Sequence, residues 1–159
     1  MTRNIDIKKD RLRYTKNTAS ATLAYIAILF NVFYFISIYD KDVGNYYYSI
    51  TIGASVICNL LFLLFTFLAS EGVKGYKLGY SLAFIPLGIF QIVRIFGIPA
   101  SAHKAIVSLF HGDVQVMDDK QFIWLVICLI ISALCCFVAA AIGIYKTVVL
   151  KKYEKQLNQ

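Results

Sequence analysis

The chain of 159 residues is 59% hydrophobic and only 16% charged, whereas soluble domains carry roughly a quarter charged residues. That balance, with a mean hydropathy of +0.67, excludes an ordinary soluble domain and indicates one compact membrane unit. The formal net charge of +7 lies on segments flanking apolar stretches. Anionic lipid headgroups therefore fit it better than nucleic acid.

Residues 1–18 form a basic, polar N-terminal segment. Ile5, Ile7 and Leu12 are interleaved with Lys8, Lys9, Arg11 and Arg13. Each basic residue near an anionic leaflet contributes about 1 kcal/mol, so this segment is expected to anchor on the cytoplasmic surface. A docking arm for a cytoplasmic partner is the alternative. No small-residue cleavage site follows the first apolar span, which reads as a retained helix rather than a signal peptide.

The spans run from about Ala19 to Tyr39, Tyr48 to Ser70, Leu78 to Ile98, and Phe122 to Val149. A helix needs ~20 residues to cross ~30 Å of hydrocarbon, and each span meets that length. Backbone groups in lipid must be satisfied within the segment, which makes these helices rather than strands. The links Asp40 to Tyr47 and Glu71 to Lys77, the latter with Gly72 and Gly75, are short. Short links make consecutive helices antiparallel neighbours. The fold class is thus an all-α integral membrane protein, a four-transmembrane-helix antiparallel bundle.

Asn31 and Asn59 lie near the middle of spans one and two. An unpaired amide in hydrocarbon costs several kcal/mol, and antiparallel packing puts both at one depth, so a mutual hydrogen bond is expected. A polar lining that continues through Ser55 and Thr66 is the functional alternative. In span three, Arg94 is the costliest residue, since a charge at mid-membrane costs at least ~2.5–3.5 kcal/mol. Gln91 and Gly88 share its helix face, and Pro86 lies just below. Three roles compete for Arg94: snorkelling to outer phosphates, a buried ion pair with another subunit or the outer loop, or an anionic-ligand site shared with Gln91.

The outer loop, residues 99–121, is the one long connection. Ala102, Ile106, Leu109 and Phe110 recur there at helical spacing among His103, Lys104 and His111. This predicts a short amphipathic helix on the outer membrane surface. In span four, Ser132, Cys136 and Ala140 recur every turn, with Cys135, Ala139 and Gly143 one position away. Small side chains let helices approach closely in lipid, so this face packs against the other three helices or against another protein. Residues 150–159 form a basic tail.

Basic residues set the orientation. The N-terminal segment, the second link (Lys74, Lys77) and the C-terminal end (Lys146, Lys151, Lys152, Lys155) hold most of them. The opposite side holds only Lys41, Lys104 and Lys120. The positive-inside rule puts both termini in the cytoplasm. Tyr39, Tyr46, Tyr47, Tyr48 and Trp124 mark the outer interface, and Tyr76, Tyr80, Tyr145 and Tyr153 the inner one, as amphipathic rings prefer.

Catalytic chemistry finds little footing. Cys58, Cys128, Cys135 and Cys136 all lie in apolar spans and read as small packing residues. No CxxC pair, metal-ligand spacing or cofactor motif occurs, and His103 and His111 are not spaced as ligands. No carboxylate lies inside a span, which weighs against a proton-coupled carrier. Span one lacks the glutamate of small multidrug carriers, and the outer loop lacks the cysteine motif of tetraspanins. The expectation is a small non-catalytic accessory or assembly subunit of a larger membrane complex such as a transporter. A homo-oligomeric transporter or channel lined by Asn31, Asn59, Gln91 and Arg94 is the alternative. The abundance of Ile, Tyr, Phe, Lys and Asn points to a bacterial plasma membrane.

Overall fold

The computed structural model describes residues 14–39, 50–109 and 112–157. The expectations for the N-terminal segment, for Tyr46, Tyr47 and Tyr48, and for Phe110 and His111 lie outside these residues.

Four helices are long and apolar enough to cross a membrane. Helix α1 spans Thr18–Ile38, α2 Ile50–Lys74 and α3 Leu78–Ile95. A seven-residue α4 (Ile98–Lys104), a hairpin of β1 (Ile106–Leu109) and β2 (Gly112–Gln115), and α5 (Asp119–Leu157) complete the order. Helix α5 packs chiefly on α1 and α3, while α2 touches α1 and α3. The four long helices therefore close a ring in which α2 lies opposite α5.

Two close approaches fix the packing of α3 on α5. A Cβ on Gly88 would lie 2.8 Å from the ring of Phe137. One on Gly143 would lie 2.6 Å from Ser81 Oγ. Only hydrogen fits at both places, and small residues at a helix interface let backbones approach. The small-residue face of α5 is likewise turned inward. Cys136, Ala139 and Ala140 share one buried cluster with Ala21, Ala24 and Ala27 of α1, Phe62 of α2 and Phe84 of α3.

The end of the bundle that holds the start of α1 and the α2–α3 turn is tied by Asn17. Its backbone N–H donates to the Lys74 carbonyl at 3.1 Å. Its side-chain amide donates to Ser20 Oγ at 2.9 Å and accepts from Lys146 Nζ at 3.1 Å. One buried asparagine thus joins the start of α1 to the end of α2 and to α5. Nearby, Tyr25 donates to Glu71 at 2.7 Å, and Lys74 pairs with the same carboxylate at 2.5 Å. The turn between α2 and α3 has its positive φ, 55°, on Tyr76 rather than on Gly75.

The opposite end, between α3 and α5, differs from the expectation of a surface helix. Helix α3 breaks at Phe96 and Gly97, and α4 stops at Lys104, where Ala105 turns extended. Ile106, which helical spacing assigns to a helix, starts a strand paired with β2 in the register Ile106↔Gln115 to Leu109↔Gly112. A single helical turn is marginal without long-range support, and the β-branched pair Ile106–Val107 prefers extended backbone. Helix α4 packs onto the bundle. Ala102 joins Tyr34, Ile38, Met117, Leu125 and Leu129 in a second buried cluster. His103 stacks on Phe122 and meets Asp119 at 2.8 Å.

Helix α5 starts before Phe122 and continues past Val149 to Leu157. Its 39 residues rise about 58 Å, nearly twice the hydrocarbon thickness. Lys151, Lys152, Glu154, Lys155 and Gln156 are good helix formers without an intervening Gly or Pro, so the helix runs on past the apolar span.

Candidate functional site

The polar residues of the four long helices converge on Arg94. This residue closes α3, one turn before the break at Gly97, and its side chain turns into the bundle. Nη1 donates to Asn31 Oδ1 at 2.7 Å and to Gln91 Oε1 at 2.9 Å. Nη2 donates to Asn59 Oδ1 at 2.6 Å. The guanidinium carbon stands 4.4 Å from the centroid of the Tyr34 ring and 5.6 Å from that of Phe90. Such distances give a cation–π contact that strengthens when the pair is desolvated.

A second tier holds the first in place. Gln91 Nε2 donates to Asn31 Oδ1 at 3.0 Å and to Ser132 Oγ at 3.2 Å. Ser132 in turn donates to the Ala27 carbonyl at 2.9 Å. Asn59 Nδ2 donates to the Ser55 carbonyl at 3.0 Å. The amide orientations follow from the donors around them. Asn31 Oδ1 meets two N–H donors, so a flipped amide would set donor against donor. The network therefore contains α1 (Asn31), α2 (Asn59), α3 (Gln91, Arg94) and α5 (Ser132).

Its helices place these groups by simple periodicity. Gln91 and Arg94 are three residues apart on α3, as are Asn31 and Tyr34 on α1, so each pair shares a face. Gln91, Asn31 and Ser132 are fully buried and Asn59 is nearly so. The partners around Arg94 are all neutral, three amide oxygens and the Tyr34 hydroxyl. Among the described residues no carboxylate pairs with it; the ion pairs there are Lys74–Glu71 and His103–Asp119.

Several sequence expectations change in detail. Asn31 and Asn59 do not bond to each other; the Arg94 guanidinium stands between them and satisfies both carbonyl oxygens. The Arg94 guanidinium is turned to acceptors inside the bundle. Ser132 belongs to the network, whereas Cys136 and Ala140 lie deeper in the alanine-rich core, apart from it. Sequence reasoning missed Tyr34, whose only signal is an aromatic residue one turn after a membrane asparagine.

A cavity of about 200 Å³ opens beside the network, lined by Tyr34, Ala54, Ser55, Cys58, Arg94 and Gly97. A larger apolar groove of about 410 Å³ lies between α2 and α3 toward the turn that joins them, lined by Phe65, Leu68, Tyr80, Ala83, Pro86 and Leu87. Among the described residues, no three His, Cys, Asp or Glu side chains gather as a metal site would require. Comparison with known protein families, with characterised proteins and with solved structures finds no match for this chain.

Proposed function

We propose that this chain is a small non-catalytic integral membrane protein that serves as an accessory or assembly subunit of a larger membrane complex. Two features that motivate this reading in the sequence are used within the chain itself. The small-residue face of α5 packs inside the bundle, and Arg94 has its partners at home. The observation that carries the reading is the groove between α2 and α3. Its walls are nearly all apolar, and no side chain of the described residues fills its 410 Å³. Ala83 and Pro86 of α3 form part of its wall, and the small Ala83 side chain leaves the space.

A transmembrane helix of a larger protein is the occupant that suits it. Leu61, Leu64, Phe65 and Leu68 of α2 stand exposed along one side, and Leu82, Ile85 and Ile89 of α3 are exposed as well. A partner helix that inserts one side chain into the groove would cover this apolar surface. In this reading both termini lie in the cytoplasm of a bacterial cell, as the placement of lysine and arginine favours. Lys146, Lys151, Lys152 and Lys155 then face the anionic leaflet.

The test is purification of the tagged protein from its native membrane in mild detergent, with measurement of particle mass and composition. A stoichiometric larger partner is expected, and Ala83→Trp, which fills the groove, should release it. A homogeneous homo-oligomer would overturn the reading. It would favour the alternative, a homo-oligomeric transporter or channel, for which the polar network across four helices is the supporting observation. Ion or solute flux in proteoliposomes is then the next measurement.

A further inference from the structure

We infer that the outer cavity beside Arg94 is a binding site for a single oxyanion group, a phosphate or carboxylate. Arg94 lies within an apolar span and carries a positive charge, yet its hydrogen-bond partners are neutral: three amide oxygens and the Tyr34 hydroxyl. Amides solvate a guanidinium without neutralising it. In a low-dielectric setting the remaining charge attracts an anion strongly, and intramembrane charges commonly mark substrate or ion sites.

Geometry supplies the second step. The three amide contacts engage two N–H groups of Nη1 and one of Nη2, whereas a guanidinium has five N–H donors in a fixed fork. The Tyr34 hydroxyl is a further neutral partner of the guanidinium, so at least one donor remains for a ligand, and Arg94 is part of the cavity wall. The cavity volume of about 200 Å³ corresponds to roughly half a dozen water molecules at ~30 Å³ each. That is room for one phosphate or carboxylate group with some of its hydration. Ser55 and Cys58 add polar atoms to the wall, and Tyr34 and Ile98 add apolar surface.

The network is also donor-rich. Asn31 Nδ2 is buried and finds no acceptor among the described residues. An acceptor-only ligand complements such an environment, whereas a cation or a hydrogen-bond donor would conflict with it. The four-helix origin of the network holds the fork still before the ligand arrives, which lowers the ordering cost of binding.

An oxyanion can reach this cavity as a free ion from the aqueous side or as the headgroup of a phospholipid in the adjoining leaflet. Purified protein in a non-ionic detergent would be titrated with inorganic phosphate, with acetate and, separately, with a short-chain phosphatidylglycerol, by calorimetry. One site per chain is expected. Binding of phosphate or acetate without the lipid assigns a free anion. Binding of the lipid alone assigns a headgroup.

Arg94→Gln should weaken binding at least tenfold. Because that variant risks unfolding, Asn59→Asp provides a near-isosteric second test: the new carboxylate pairs with Arg94 and should weaken binding to a similar degree while the bundle stays folded. Asp40→Asn with Asp42→Asn, in the first outer link, tests the chain's own carboxylates as occupants and should leave binding unchanged. No binding of any probe, binding that survives Asn59→Asp, or binding that appears only in the Asp40/Asp42 variant would each overturn the site.

Discussion

Arg94 on α3 reaches Asn59 on α2 at 2.6 Å and Asn31 on α1 at 2.7 Å, so one guanidinium bridges two helices that share no direct amide contact at this level. The arrangement solves two problems together. Each asparagine loses the cost of an unpaired carbonyl in hydrocarbon, and the arginine gains fixed acceptors inside the bundle. It also ties α3 to α1 and α2 across the bundle interior.

Removing one member of this network should cost more than removing two that face each other. Asn59→Leu is expected to destabilise by about 1–2 kcal/mol, since a charged donor loses its partner. Asn31→Leu should cost about 2–3 kcal/mol because Arg94 and Gln91 both lose an acceptor. The double variant Asn59→Leu with Arg94→Leu should be clearly less destabilised than the sum of the single ones. A double-mutant cycle from unfolding in mixed detergent micelles measures this, and strict additivity would show that the two do not interact.

The glycines divide by their surroundings. Gly143→Val should destabilise by about 2–3 kcal/mol, as the added atoms press on Ser81 and Val73 in a packed interface. Gly53 lies in α2 with nothing within 4 Å of an added Cβ. Gly53→Ala should instead stabilise by about 0.5–1 kcal/mol, by reducing backbone entropy in the unfolded chain. Thermal midpoints in detergent would separate the two outcomes.

Asn17 offers a local test at the end of the bundle that holds the α2–α3 turn. Asn17→Ala removes the contacts to Ser20 and Lys146 and keeps the backbone bond to Lys74. A loss of about 1–2 kcal/mol is expected, from one buried and one half-buried hydrogen bond. Amide hydrogen exchange should quicken over the first turn of α1 while the Arg94 region stays protected. Uniform quickening along α1 would mean that Asn17 supports the whole bundle.

Tyr76 holds a φ of 55°, a region that costs a non-glycine residue roughly 1–2 kcal/mol. Tyr76→Gly should raise stability by about 0.5–1 kcal/mol, while Tyr76→Val should lower it, because β-branching makes this backbone harder to adopt. Thermal unfolding of both variants checks the sign.

Orientation can be measured directly. In a background without the native cysteines, Lys77→Cys should react with an impermeant thiol reagent only in inverted vesicles. Lys104→Cys should react from outside intact cells. The opposite pattern would reverse the topology that the basic residues favour.

Much of the architecture was legible in particular residues. The apolar runs after Thr18, after Ile50, after Leu78 and before Lys146 are each long enough to satisfy their backbone only as a membrane-crossing helix. Gln91 and Arg94 announced themselves because polar groups in such runs are costly. Less legible is the segment between α3 and α5, where the spacing of Ala102, Ile106 and Leu109 suits a helix but β-branching and pairing with β2 give a hairpin. Helix α5 extends past its apolar span because helix propensity continues where hydropathy ends.

The number of spans, their helical character and the residues that lipid would penalise can be read from the chain alone. How each helix is rotated about its axis cannot, and it is this rotation that brings Arg94 to Asn31, Asn59 and Tyr34 and sets Cys136 and Ala140 among alanines. The reason is physical. In water a helix shows which face is buried through the contrast between polar and apolar sides, but in lipid both faces of a membrane helix are apolar. Rotation is then set by close packing at positions such as Gly88 and Gly143 and by the pairing of a few polar groups. These depend on the shapes of neighbouring helices.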